Sequence, residues 1–169
     1  MRRLFGILIG LLVAGGLAIQ LVPYGRAHDN PPVSAEPEWD SPQTRKLFWR
    51  ACADCHSNET VWPWYSNIAP VSWLVQRDVK QGRAACNVSE WGREDQKCDE
   101  SAETVLDGEM PPATYRVMHP RARLDRAERE ALIAGLLATF GDEREDRDSE
   151  GAGPPAVPGN ETALLPRRQ

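Results

Sequence analysis

No basic stripe runs through this chain, and its formal net charge is −5. It therefore lacks the electrostatic footprint that a nucleic-acid partner requires. A P-loop, a dinucleotide fingerprint and a catalytic-triad pattern are all missing, so neither nucleotide-dependent nor serine-nucleophile chemistry has a foothold. β-Branched residues never alternate with polar ones over a run long enough for a strand, which predicts an all-α domain. A length of 169 residues suits one domain with appendages rather than two full domains.

Charge is also absent from one particular segment. Leu4 to Val22 reads LFGILIGLLVAGGLAIQLV, with Gln20 as its one strongly polar side chain. Such a run can cross the roughly 30 Å hydrocarbon layer as a helix. Arg2 and Arg3 precede it, so the positive-inside rule places the N-terminus in the cytoplasm and the rest of the chain outside. A cleaved signal peptide is the rival reading. The run exceeds a usual signal core, and LVPYGRAHD makes a poor cleavage site.

The sequence divides accordingly. Residues 1–24 form the membrane anchor, and 25–40, rich in Pro and polar residues, an extended linker or surface strap. Residues 41–141 make the folded domain. Residues 142–169 are first charged and then Pro- and Gly-rich, a composition that predicts a disordered tail. Within the domain, Ser41-Pro42 is a helix start leading to the first cysteine. A second helix follows Pro70, with Val71, Leu74, Val75 and Val79 at helical spacing and Gly82 at or near its end. The third opens on a capping box, Asp125 and Glu128, and stops at Gly141.

The rare residues concentrate in one place. Four Cys and three His are spread over the chain, yet two of the cysteines and one histidine fall in CADCH at 52–56. C-x-x-C-H is the signature of c-type haem attachment: Cys52 and Cys55 add across the two vinyl groups, and His56 ligates the iron. A redox dithiol would want a βαβ context, which is missing. A zinc site would need four closed ligands, which Cys86 and Cys98 could complete only with unusual spacing.

For the other face of the iron the candidates are Met110, Met118 and His119, or an open position. Met110 lies in DGEMPPATY, a loop just before the last helix, and a His/Met pair is characteristic of electron-transfer haems. Trp62, Trp64 and Tyr65 follow the motif closely and could wall a haem pocket, or simply pack the core. Six Trp in this length suit a domain built around a large flat ligand. Cys86 and Cys98 lie in a charged loop outside the membrane, where thiols tend to oxidise, and are expected to form a disulfide.

CADCHSNETVWPWYSNIAPVSWLV, then NVSEW, then EMPPATY and HPRARL, with a break around 92–101, resemble the membrane-anchored haem-binding domain family of bacteria, from about Gln20 to Leu137. The resemblance implies a class-I-like cytochrome c fold, one covalent haem c on Cys52 and Cys55, and His56 as proximal ligand. It implies a bacterial inner-membrane location with the haem domain in the periplasm. One departure stands out. Class I cytochromes carry a Gly-Pro whose carbonyl orients the proximal imidazole; here Pro63 and Pro70 compete for that place without a preceding Gly, leaving the acceptor of the His56 Nδ1 proton open.

The expected function is a membrane-tethered mono-haem electron carrier working with redox partner proteins of unknown identity and no nucleic acid. A haem-based sensor or peroxidase-like enzyme with an open distal site is the alternative.

Overall fold

The computed structural model describes residues 1–141; the tail expected at 142–169 lies outside the described residues. The described chain is helical: α1 (Arg2–Ile19), α2 (Pro42–Ala51), α3 (Ala53–His56), α4 (Val71–Ala85), α5 (Ser101–Leu106), α6 (Ala113–Met118) and α7 (Arg126–Phe140), with short 3-10 turns at Trp64–Asn67 and Pro120–Ala122. No strand occurs among the described residues; an isolated parallel bridge pairs Ala35 with Glu90.

Local chemistry sets the helix ends. Ser41 is extended and its Oγ accepts from the Thr44 N–H at 3.2 Å, while Pro42 fills the first helical position of α2. At α7 the capping box closes in both directions: Glu128 N–H donates to Asp125 Oδ1 at 2.8 Å, and Asp125 N–H to Glu128 Oε2 at 3.0 Å. Gly141, with φ of 88°, supplies the left-handed residue that ends α7. Gly82 falls inside the last turn of α4, which runs on to Ala85.

Helix α2 lies between α3 and α7, α5 packs on α7, and α3 packs on α4. Leu47 and Phe48 from α2 meet Leu132 and Leu136 from α7, with Val88, Val105 and the Cys86–Cys98 pair in the same core. Full burial of Leu132 and Leu136 contributes about 2 kcal/mol each. Trp39, Phe48, Trp49, Trp91 and Phe140 interlock beside this core, with ring centroids 5.0–6.4 Å apart. Three of the six tryptophans thus belong to this one cluster with the phenylalanines.

The crossing of α2 and α7 is close because Gly135 faces Thr44. A Cβ at Gly135 would overlap the Thr44 side chain, itself buried. Gly135→Ala should therefore destabilise the fold by about 1–3 kcal/mol in urea unfolding. Thr44→Ala should recover part of that loss in the double variant. Strictly additive effects would show that the two positions do not touch.

Candidate functional site

Helix α2 breaks at Cys52, whose φ and ψ of −126° and −33° leave the helical region. The Cys52 carbonyl then accepts from both Cys55 and His56 N–H groups at 3.1 Å, winding the motif into the single turn of α3. Positions i, i+3 and i+4 share one side of such a turn, so Cys52, Cys55 and His56 present their side chains together. All three residues are half-buried.

Two segments hold this turn in place. On one side α4 comes close through Gly82, where a Cβ would collide with the Cys55 carbonyl and backbone. On the other, the chain from Cys86 to Ser89 brackets the residues from His56 to Asn58. His56 Nδ1–H donates to the Cys86 carbonyl at 2.9 Å, and the His56 carbonyl accepts from Val88 N–H at 2.9 Å. Beyond them, Asn87 Nδ2 donates to Asn58 Oδ1 at 2.8 Å, and Asn58 N–H to Ser89 Oγ at 3.0 Å. The acceptor for the His56 imidazole is therefore Cys86, and neither Pro63 nor Pro70 takes that place.

Cys86 is covalently fixed as well. It forms a disulfide with Cys98, with Cα atoms 4.9 Å apart across 12 positions. Closing a loop of that length stabilises by roughly 3 kcal/mol in chain-entropy terms. With both sulfurs in this bridge, Cys86 and Cys98 are not available to complete a zinc site with Cys52 and Cys55.

The electrostatics suit a neutral donor set. Burial holds the His56 pKa below its ordinary value, against the opposing pull of the Cys86 and Gly82 backbone groups. With Nδ1 committed as donor to the Cys86 carbonyl, the neutral ring keeps a lone pair on Nε2. Burial pushes the Cys52 and Cys55 thiols up to about 12, with the carboxylates of Asp54 and Asp78 adding to the shift at Cys55. Thiols that stay protonated at neutral pH exchange disulfides slowly, unlike the activated cysteine of a redox dithiol.

Asp54, between the two cysteines, ties two segments to the motif. Its carboxylate accepts from Tyr115 OH at 2.7 Å and from Val61 N–H at 3.0 Å, while its carbonyl accepts from Thr60 Oγ1 at 2.7 Å. Tyr115 is stacked on His119 with centroids 4.1 Å apart, and Tyr65 OH lies 3.3 Å from His119 Nε2. Burial raises the Tyr115 pKa, and its bond to Asp54 raises it further, so the phenol is a firm donor.

The remaining expected site residues are more scattered. Trp62 stacks on His28 at 4.7 Å and donates its indole N–H to Asn30 Oδ1 at 3.1 Å, so that ring faces residues 25–40. Trp64 is 75% exposed and meets Tyr65 edge-on. Met110 is half-buried against the core, its N–H bonded to the Thr104 carbonyl, and its sulfur makes no hydrogen bond among the described residues. Met118 is exposed. Tyr115, Asp54, Gly82 and the Cys86 carbonyl were not legible as site groups, although Tyr115 and Asp54 lie inside the stretches that carry the family resemblance.

A neutral imidazole with a free Nε2 and two thiols on the same turn, not bonded to each other, is the donor set that a haem held by C-x-x-C-H requires. Residues 14–138 match the family described as the haem-binding domain. The chain belongs to that family, and the match takes in the end of α1, the segment after it and the helical domain as far as residue 138 in α7. Searches among curated proteins and solved structures returned no match.

Because the Gly82 contact is with backbone, no side-chain movement relieves it. Gly82→Ala should lower stability by about 1–3 kcal/mol and reduce the amount of haem-loaded protein recovered. Unchanged unfolding and haem content would show that α4 does not press on the motif.

Proposed function

We propose that the chain is a mono-haem c-type cytochrome, tethered by α1 to a bacterial inner membrane and carrying single electrons on the periplasmic side. The observation that carries this reading is the presentation of Cys52, Cys55 and His56 on one turn, with His56 Nδ1 locked to the Cys86 carbonyl and Nε2 free. The haem, once bound, supplies one-electron chemistry at its iron. Cys52 and Cys55 would add their S–H groups across the two vinyl groups, sulfur to one carbon and hydrogen to the other, and His56 would offer Nε2. A class-I-like cytochrome c fold accords with a first domain helix, α2, that runs directly into the motif and crosses the last helix, α7. Outside the cytoplasm both the disulfide and haem attachment find suitable conditions.

Support for the membrane tether comes from α1, 18 residues with mean hydropathy 1.8 and no buried residue. Met110 is the distal ligand in this reading. Its sulfur has no protein partner to surrender, whereas both nitrogens of His119 are engaged, Nδ1 with the Tyr115 carbonyl at 3.2 Å and Nε2 with Tyr65. A second reading rests on that same engagement. The hydrogen-bonded group of Asp54, Tyr115, His119 and Tyr65 adjoins the motif and could serve a sensor or peroxidase-like enzyme with an open distal position.

Two measurements test the proposal. Exported protein should keep its haem through denaturing electrophoresis, and a pyridine haemochrome spectrum should report thioether linkage; complete loss of colour on acid-acetone extraction would overturn covalent attachment. Met110→Ala should lower the reduction potential and convert a low-spin ferric spectrum to one that admits exogenous ligands. The same change in His119→Ala, with Met110→Ala silent, would move the ligand to His119. High-spin ferric haem and rapid CO binding in the unaltered protein would favour the sensor or enzyme.

A further inference from the structure

The end of α1 is bolted to the domain rather than leading into a free linker. Gln20 clamps both backbone groups of Ala69: its Nε2 donates to the Ala69 carbonyl at 2.8 Å, and its Oε1 accepts from Ala69 N–H at 3.0 Å. Arg26 holds the same Oε1 at 2.9 Å. Gly25, with φ of 81°, sits so close to the Ser72 carbonyl that a Cβ would collide with it. Ser72 Oγ in turn donates to the Tyr24 carbonyl at 3.4 Å.

Around this junction the surface is apolar. Trp64 is 75% exposed, Ile68 45%, Val71 39% and Leu74 51%, and from the α1 side Leu21 and Tyr24 are exposed beside them. Polarity changes along α4 within two turns, since Arg77, Asp78 and Lys80 are exposed beyond Leu74. The rim is thus one turn deep and carries a tryptophan and a tyrosine. That thickness and composition suit the headgroup layer, where amphipathic rings concentrate, better than a deep protein groove.

Continuity with α1 identifies the occupant. Eighteen helical residues rise about 27 Å, which brings Ile19 to the edge of the hydrocarbon layer and Gln20 to the first polar level. Whatever Gln20 grips must lie at that level too. We infer that the face formed by Trp64, Ile68, Val71 and Leu74 rests in the headgroup layer of the membrane that α1 spans, which fixes the attitude of the CADCH turn to the bilayer. This rests on reading α1 as a membrane-spanning helix.

One experiment separates the two readings. Full-length haem-loaded protein is reconstituted into phosphatidylethanolamine/phosphatidylglycerol vesicles containing a lipid with a diazirine either beside the headgroup or near the acyl terminus, and adducts are mapped by mass spectrometry after illumination. The headgroup probe should label the peptide spanning 64–74 and leave α7 unlabelled, while the acyl probe should label α1. Acyl-probe labelling of α1 with no headgroup-probe labelling of 64–74 would overturn the seating and leave the anchor intact. Absence of acyl-probe labelling on α1 would overturn the anchor, and the seating with it. Gln20→Ala should lower the 64–74 yield while α1 labelling persists; an unchanged yield would overturn the clamp as its cause.

Discussion

A histidine can present one ring nitrogen reliably only if the other has a fixed partner, and here that partner is the carbonyl of Cys86. Everything around the site serves that bond. The Cys86–Cys98 bridge restrains the acceptor, the Val88 N–H holds the backbone of His56, and the Asn58–Asn87–Ser89 hydrogen bonds keep the two segments in register. Asn58, Asn87 and Ser89 are buried, where an unpaired amide or hydroxyl would cost about 1–3 kcal/mol. Their mutual satisfaction makes the bracket a single geometry rather than a family of similar ones.

The helices were legible from their ends. Ser41-Pro42 and the Asp125/Glu128 capping box are local signals, and local chemistry decides them. The motif was legible for the same reason, since Cys52, Cys55 and His56 are neighbours in the chain. The acceptor of the His56 proton was not, because it is a main-chain oxygen 30 positions away and carries no side-chain signature. Aromatic composition is silent in a related way. The count of tryptophans says nothing of ring direction: Trp39, Trp49 and Trp91 interlock with phenylalanines, and Trp62 turns toward His28.

Residues 25–40 illustrate a further limit. Pro and polar residues there rule out helix, which sequence reading takes as a boundary of the folded unit. Polar side chains are also what fasten an irregular segment to a surface, because its backbone groups need partners. Arg83 alone reaches the carbonyls of Asp29 and Ser57 and the side chains of Asn30 and Thr60, at 2.8–3.0 Å. Farther along, Asn58 donates to the Pro32 carbonyl and Arg45 pairs with Glu36. Arg83 therefore joins the strap, the loop after the motif and the last turn of α4 in one charge-assisted knot.

Four sulfurs share one small domain and have opposite destinies. Cys86 and Cys98 are used as a bridge, which needs an oxidant, while Cys52 and Cys55 are free and, in the proposed cytochrome, would have to remain reduced until a haem reached them. An oxidant strong enough for the first pair does not by itself spare the second, whose cysteines are only two residues apart. Under the proposed function, biogenesis of this chain would be an exercise in timing: bridge closure and cofactor insertion would compete for the same polypeptide, and the order in which its thiols are met would decide whether it matures.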